Sequence, residues 1–175
     1  AHGLTTLAPD NLFHGPTVTA SFRKLPWNTT INLSSSLGWM MQDEEFHPYT
    51  SNSAIVGSDG TSGFDASSRG VLPRESADAS VSTSTYTLSV NSHPTSWIDA
   101  SLKYRYYDYH NDTDAITFPG YAEFDAVWKP GTVTTTPSSY TKQKASADAG
   151  FRVMDKTRFG VNYTYSGIHR DNEEV

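Results

Sequence analysis

The chain has 175 residues, a net charge of −6 and no cysteine. That length fits one ordinary domain; the missing cysteines exclude disulfides, thiolate metal sites and C-x-x-C-H haem attachment; the acidic balance speaks against a nucleic-acid binder, which carries a basic excess. With 36% apolar and 13% aromatic residues, the composition is too poor for a thick two-sided core and too aromatic for disorder, and it suits a single sheet wet on one side.

No run of eighteen apolar residues occurs, so no transmembrane helix is predicted. No signal peptide opens the chain at Ala1 and no initiating Met is present, so a leader has been removed or the chain is a piece of something longer.

Residues 1–16 mix Gly, Pro and polar residues and are expected to form a loop. The first strand is predicted over 17–24, with Val18, Ala20 and Phe22 on one face and Thr17, Thr19, Ser21 and Arg23 on the other. A short turn at Leu25-Pro26-Trp27-Asn28 ends it, since Pro cannot donate to a ladder. The second strand, 29–42, is the cleanest. Ile31, Leu33, Leu37, Trp39 and Met41 share one face, broken by Ser35. Asn32, Ser34, Ser36, Gly38 and Gln42 share the other, broken by Met40. Its length exceeds the ~5–6 residues of an average globular strand and covers the ~9–11 needed to cross a bilayer at a tilt.

Residues 43–79 are polar and predicted as a long loop. The third strand, 80–92, sets Tyr86, Leu88 and Val90 against Thr83, Thr85, Thr87 and Ser89. A short turn over Ser92 to Ser96 leads into the fourth, 97–109. There Ile98, Ala100, Leu102, Tyr104 and Tyr106 alternate with Asp99, Ser101, Lys103, Arg105 and Tyr107. A second long loop spans 110–139. The last two strands are predicted over 140–153 and 157–166, turning at Met154-Asp155-Lys156. Ala145, Ala147, Ala149, Phe151 and Val153 line one face of the first, Phe159, Val161, Tyr163 and Tyr165 that of the second. From Ser166 the chain is expected to become the root of a third long loop.

Connections thus run short, long, short, long, short. Short turns at one end and long loops at the other are the habit of bacterial outer-membrane barrels, as is an apolar outer face ending in aromatic residues. The predicted fold is all-β: an antiparallel transmembrane β-barrel of six up-and-down strands. Trp27 and Trp97 would lie at the periplasmic interface, and Trp39, Tyr104, Tyr106, Tyr163 and Tyr165 at the outer one. Six strands leave two open edges, which lipid cannot satisfy, so a segment of a larger barrel is expected. A soluble β-sandwich also alternates, but strand length, the alternation of loop lengths and ionised polar faces weigh against it.

The C-terminal half carries a family resemblance. Its pieces are Leu102-Lys103-Tyr104-Arg105-Tyr106-Tyr107-Asp108, Phe118-Pro119-Gly120, Phe124-Asp125, the run from Tyr140 to Arg152, Lys156-Thr157-Arg158-Phe159-Gly160-Val161 and His169-Arg170-Asp171. In order and spacing these resemble the MtrB/PioB-type, decahaem-cytochrome-associated outer-membrane β-barrels from about residue 97 onward; residues 1–96 share the style with weaker motifs. The resemblance implies a non-enzymatic sleeve in the outer membrane. Such a barrel sheathes a periplasmic multihaem c-type cytochrome, so that electrons cross to or from the exterior. Haem belongs to the partner and none is bound by the barrel itself; an extracellular multihaem cytochrome is a further partner the resemblance allows. The inward, docking set would be Arg23, Asp99, Lys103, Arg105, Lys142, Lys144, Asp148, Arg152 and Arg158. It is net cationic in an acidic chain, which places the acids in the loops.

Two rival functions are a general porin or transporter and a barrel-scaffold enzyme. For the latter, His110 with Asp108 or Asp112 is the nearest pair. The six histidines, His2, His14, His47, His93, His110 and His169, show no zinc-like spacing. Asp59, Asp65, Asp112 and Asp114 lack EF-hand spacing and are expected to be solvated loop acids, and Asp43-Glu44-Glu45 a charged loop root. The two N-x-T sequons, at Asn28 and Asn162, would carry no meaning in a bacterial barrel.

Overall fold

The computed structural model describes residues 10–154 and 156–171; His2 and Asp155 lie outside them. The strands are β1 (Leu12–His14), β2 (Thr17–Leu25), β3 (Thr29–Gln42), β4 (Val56–Ser58), β5 (Gly63–Asp65), β6 (Ala79–Thr95), β7 (Ile98–Asn111), β8 (Thr117–Glu123), β9 (Val127–Thr134), β10 (Tyr140–Met154) and β11 (Thr157–Arg170). The main sheet runs β1-β3-β6-β7-β10-β11, with β2 also on β3. Strands β1 and β2 are one strand broken at Gly15-Pro16, and Leu37 N–H donates to the Pro16 carbonyl across the break. The edges formed by β1/β2 and by β11 have no partner strand among the described residues.

The long strands β3, β7 and β11 have 14 residues each. At ~3.3 Å per residue and a tilt of ~40°, such a strand covers about 35 Å along a membrane normal. That exceeds the ~30 Å of hydrocarbon in a bilayer. Among the described residues no helix is long and apolar enough to cross one.

The registers sort the side chains onto two faces. Pairing puts Ala100, Ala149 and Val161 in one row, Ile98, Phe151 and Phe159 in the next, and Leu102, Ala147 and Tyr163 in the next on the other side. On the first hairpin, Ala20 faces Leu33 and Phe22 faces Ile31. Among the described residues nothing packs on this apolar face: Val161 is 63% exposed, Tyr163 66% and Val18 70%. The chain exposes 12572 Å², against roughly 8,500 Å² for a compact globular protein of its mass. Such an excess is what a sheet uncovered on both faces leaves. A β-sandwich would have buried these residues against a second sheet, so its central requirement is missing.

The core lies elsewhere. The chain divides into two compact units, and the buried hydrophobic residues Ile55, Ala66, Val81 and Ile116 all belong to the one built from Met40–Val81 and Asn111–Pro137. In this unit β4 pairs with β5 and β8 with β9. The Tyr49 ring meets Trp128 edge-on at 5.1 Å and Phe118 at 6.2 Å, and Phe64 meets Trp128 at 5.3 Å. Gly120 is needed where the Trp128 ring lies: a Cβ there would be 2.7 Å from the ring and 2.5 Å from the Lys129 carbonyl oxygen.

Four sequence expectations are corrected here. Residues 43–79 and 110–139 are not plain loops, because two hairpins and an aromatic cluster organise them; β4 and β5 are too short for alternation to reveal, and β8 and β9 carry Pro-Gly pairs that signal turns. The 1–16 stretch contains β1. Strand β6 runs on to Thr95 through the expected turn at His93-Pro94. Strand β11 continues to Arg170 rather than ending at Tyr165, since Tyr140 pairs with Arg170 and the whole length of β10 needs a partner.

The β8–β9 turn holds Phe124 and Asp125 at φ +51° and +54°. Thr50 and Ser51 donate to the Asp125 carboxylate and Asn52 to its carbonyl. Phe124 itself is 93% exposed, so it pays the left-handed cost without any burial in return. Phe124→Gly is therefore expected to stabilise the hairpin by about 1 kcal/mol, read as a rise in its unfolding midpoint. A fall would show that the ring is covered in the working protein.

Candidate functional site

The opposite face of β7, β10 and β11 carries the charged residues. Taken from the β10–β11 turn along the strands, its rows are Arg152–Arg158, Asp99–Gly150–Gly160, Ser101–Asp148–Asn162, Lys103–Ser146–Thr164, Arg105–Lys144–Ser166, Tyr107–Lys142–Ile168 and Tyr109–Tyr140–Arg170. Eight of the nine predicted docking residues thus share one face of three adjacent strands. The ninth, Arg23, sits where the β2–β3 register slips between Phe22 and Leu25, beside Lys24 at φ +58°. The register therefore does not assign Arg23 to this face.

The face is mostly polar, with Met40 and Ile168 as exceptions. Across β2 and β3, Thr17 donates to Ser36 at 2.9 Å and Ser21 to Asn32 at 2.6 Å, and Asn32 reaches Ser89 on β6 at 3.5 Å. Hydroxyl and amide groups make these contacts, whereas the paired rows of β7, β10 and β11 carry the ionised groups.

Within that half the two ends differ. At the turn end, among the described residues, Arg158 is matched internally and Arg152 is not. Arg152 and Arg158 are directly opposed, a repulsive arrangement, but Arg158 donates to Asp99 at 2.5 Å across the intervening strand. Gly150 makes this possible, because a Cβ there would sit 2.5 Å from the Asp99 carboxylate and 2.8 Å from the Arg158 guanidinium. Asp148 accepts from Ser101 at 3.1 Å and from Asn162. The Asp99–Arg158 pair is partly exposed, so it contributes no more than about 1 kcal/mol. Gly150→Val is expected to cost about that much by urea unfolding in detergent, and Asp99→Ala should add nothing in its background. Additive losses would mean that the pair does not depend on the glycine.

At the other end the cations' own rows, from Lys103 to Arg170, contain no carboxylate. Lys103, Arg105, Lys142, Lys144 and Arg170 are exposed and have no ion pair among the described residues. Tyrosines frame them: Tyr109 stacks on Tyr140 at 5.0 Å and 13°, Tyr107 lies 6.0 Å from Tyr140, and Lys142 Nζ is 4.6 Å above the Tyr140 ring. Arg105, Tyr107, Tyr140, Lys142 and Lys144 line an open concavity of about 650 Å³. Arg170 and the tyrosine stack escaped sequence reasoning. Counting back from the turn would have found them, since Asp148 opposite Asn162 dictates Tyr140 opposite Arg170.

The predicted interface aromatics fall on the apolar face or in turns. Tyr104 and Tyr165 flank Ala145 in one row, Tyr163 is in the next, and Tyr106 is followed by Gln143 and Gly167; Tyr106 also meets Tyr86 at 6.2 Å. Trp39 is 45% exposed on β3. Trp27 lies in the turn Pro26–Asn28 and Trp97 between β6 and β7.

In the other unit, Asp59 and Asp65 are held below the usual carboxylate range by backbone and hydroxyl donors from Ser62 and Thr61, and from Ser67. Their ionised forms close local turns, so this contribution is present above the ordinary carboxylate pKa and lost as pH falls below it. Glu45 is ion-paired with Arg69. Among the described residues no three His, Asp or Glu side chains gather as a metal site.

A search of curated proteins finds no match. The family model described as "Putative outer membrane beta-barrel porin, MtrB/PioB" matches residues 2–175. An all-β antiparallel sheet with membrane-length strands, one uncovered apolar face and one charged face agrees with that description. The chain belongs to the MtrB/PioB family of outer-membrane β-barrel porins.

Proposed function

We propose that this chain forms part of a barrel wall that encloses and holds a periplasmic multihaem c-type cytochrome, carrying electrons across the outer membrane. The observation that supports it is the charge on the polar face of β7, β10 and β11. Seven Lys and Arg face two carboxylates in the rows above, although the chain as a whole is −6. A wall facing only water has no need of such an excess, whereas an acidic occupant would neutralise it. The apolar face meets lipid, with Trp39, Tyr104, Tyr106, Tyr163 and Tyr165 at the outer interface and Trp27 and Trp97 at the periplasmic one. The two open edges require further strands to complete the wall. The protein supplies no cofactor ligand of its own in this reading, since the haems belong to the occupant.

A solute-passing porin is the second reading, favoured by the family description. Purification from outer membranes in mild detergent separates the two. The sheath reading expects haem absorbance near the Soret wavelength to co-elute with the protein and to be lost at high salt or in Lys103→Gln/Arg105→Gln. A pore that conducts ions and never carries haem would overturn it.

A further inference from the structure

We infer that the partner is gripped at one end of the polar face only, through carboxylates that meet Arg105, Lys142, Lys144 and Arg170 over a shelf made by Tyr107 and Tyr140. This rests on the sheath reading and narrows it to a surface and a chemistry. Among the described residues of this face, the turn end offers only one unpaired cation, Arg152, because Arg158 is committed to Asp99 and Asp148 is held by Ser101 and Asn162. At the far end the four cations have no ion-paired carboxylate among the described residues, and each is exposed. Like charges so close are mutually unfavourable unless an anion joins them.

The spacing selects the kind of anion. These cations occupy three adjacent strands over three successive rows, a grid of roughly 10 Å by 14 Å from strand and residue spacings. A single phosphate or chloride spans one corner of that grid; several carboxylates on a protein surface span all of it. Lipid phosphates are excluded by position, since the grid lies on the face opposite the apolar one. Tyr140 adds preorganisation, because its ring holds Lys142 Nζ at 4.6 Å and so reduces the rotamer freedom lost on docking.

A zero-length carbodiimide cross-linker, which joins lysine amines to carboxylates in direct contact, tests the inference on the detergent-purified complex. Peptide mass spectrometry should find Lys142 and Lys144 joined to Asp or Glu of the haem protein, with Lys156 at the β10–β11 turn unmodified. Lys142→Glu/Lys144→Glu should lower the salt concentration that releases the haem protein at least threefold, and Lys156→Glu in the β10–β11 turn should leave it unchanged. An intact complex cross-linked only through Lys156, or not at all, overturns the inference while the sheath reading stands. Absence of any haem protein from the preparation overturns the sheath reading itself, and this inference with it.

Discussion

Val161→Arg is expected to destabilise the membrane-inserted protein by about 2–4 kcal/mol, the cost of an Arg near the bilayer midplane of a barrel. Val161 sits in the row of Ala100 and Ala149, with apolar rows on both sides, so a guanidinium there projects from the face that meets hydrocarbon. Thr164→Arg is the matched control. It lies on the polar face in the row of Lys103 and Ser146, where water can solvate it, and should cost less than ~1 kcal/mol despite its cationic neighbour. Folding equilibria in lipid vesicles read both. Equal costs would remove the distinction between the two faces.

Trp128→Ala should be the most damaging change in the unit built from Met40–Val81 and Asn111–Pro137. The indole joins Tyr49 and Phe64 edge-on and covers Gly120, so its loss leaves a void where the two chain segments meet. The expected cost is about 3 kcal/mol. Gly120→Ala should act similarly, because the nearest obstacle to its Cβ is the Lys129 backbone carbonyl, which cannot swing away. Limited proteolysis would then cut within 43–79 and 111–137 at protease levels that leave the parent chain intact. Unchanged resistance would mean that the aromatic cluster does not hold these segments.

Long periodic strands were legible from residues alone. The alternation in β3 and β7 and in the β10–β11 pair announces two faces because each runs for 14 or 15 residues. So does the cationic character of the polar face, since parity assigns Lys103, Arg105, Lys142 and Lys144 together once the turn is placed. What parity does not reveal is which charges are already satisfied. Arg158 looked as available as Arg105, yet Gly150 lets it cross a strand to Asp99, a contact between residues 59 apart in sequence. Arg23 failed for another reason: a register slip beside it breaks the counting. The hairpins β4–β5 and β8–β9 were invisible because few of their residues alternate, and their core of Tyr49, Phe64, Phe118 and Trp128 gathers from two distant stretches. Arg170 was missed because the polar tail after Tyr165 suggested a loop, whereas backbone pairing with β10 outweighs local composition.

The central physical claim is that lipid and water lie on opposite sides of one sheet. The protein has no cysteine, so single cysteines can be placed at each position from 159 to 166 and labelled with a nitroxide in lipid vesicles. Collision with oxygen, which concentrates in hydrocarbon, should be high at 159, 161, 163 and 165. Collision with a water-soluble nickel complex should be high at 160, 162, 164 and 166. Accessibilities that vary smoothly along β11, or that alternate in the opposite phase, would contradict the account.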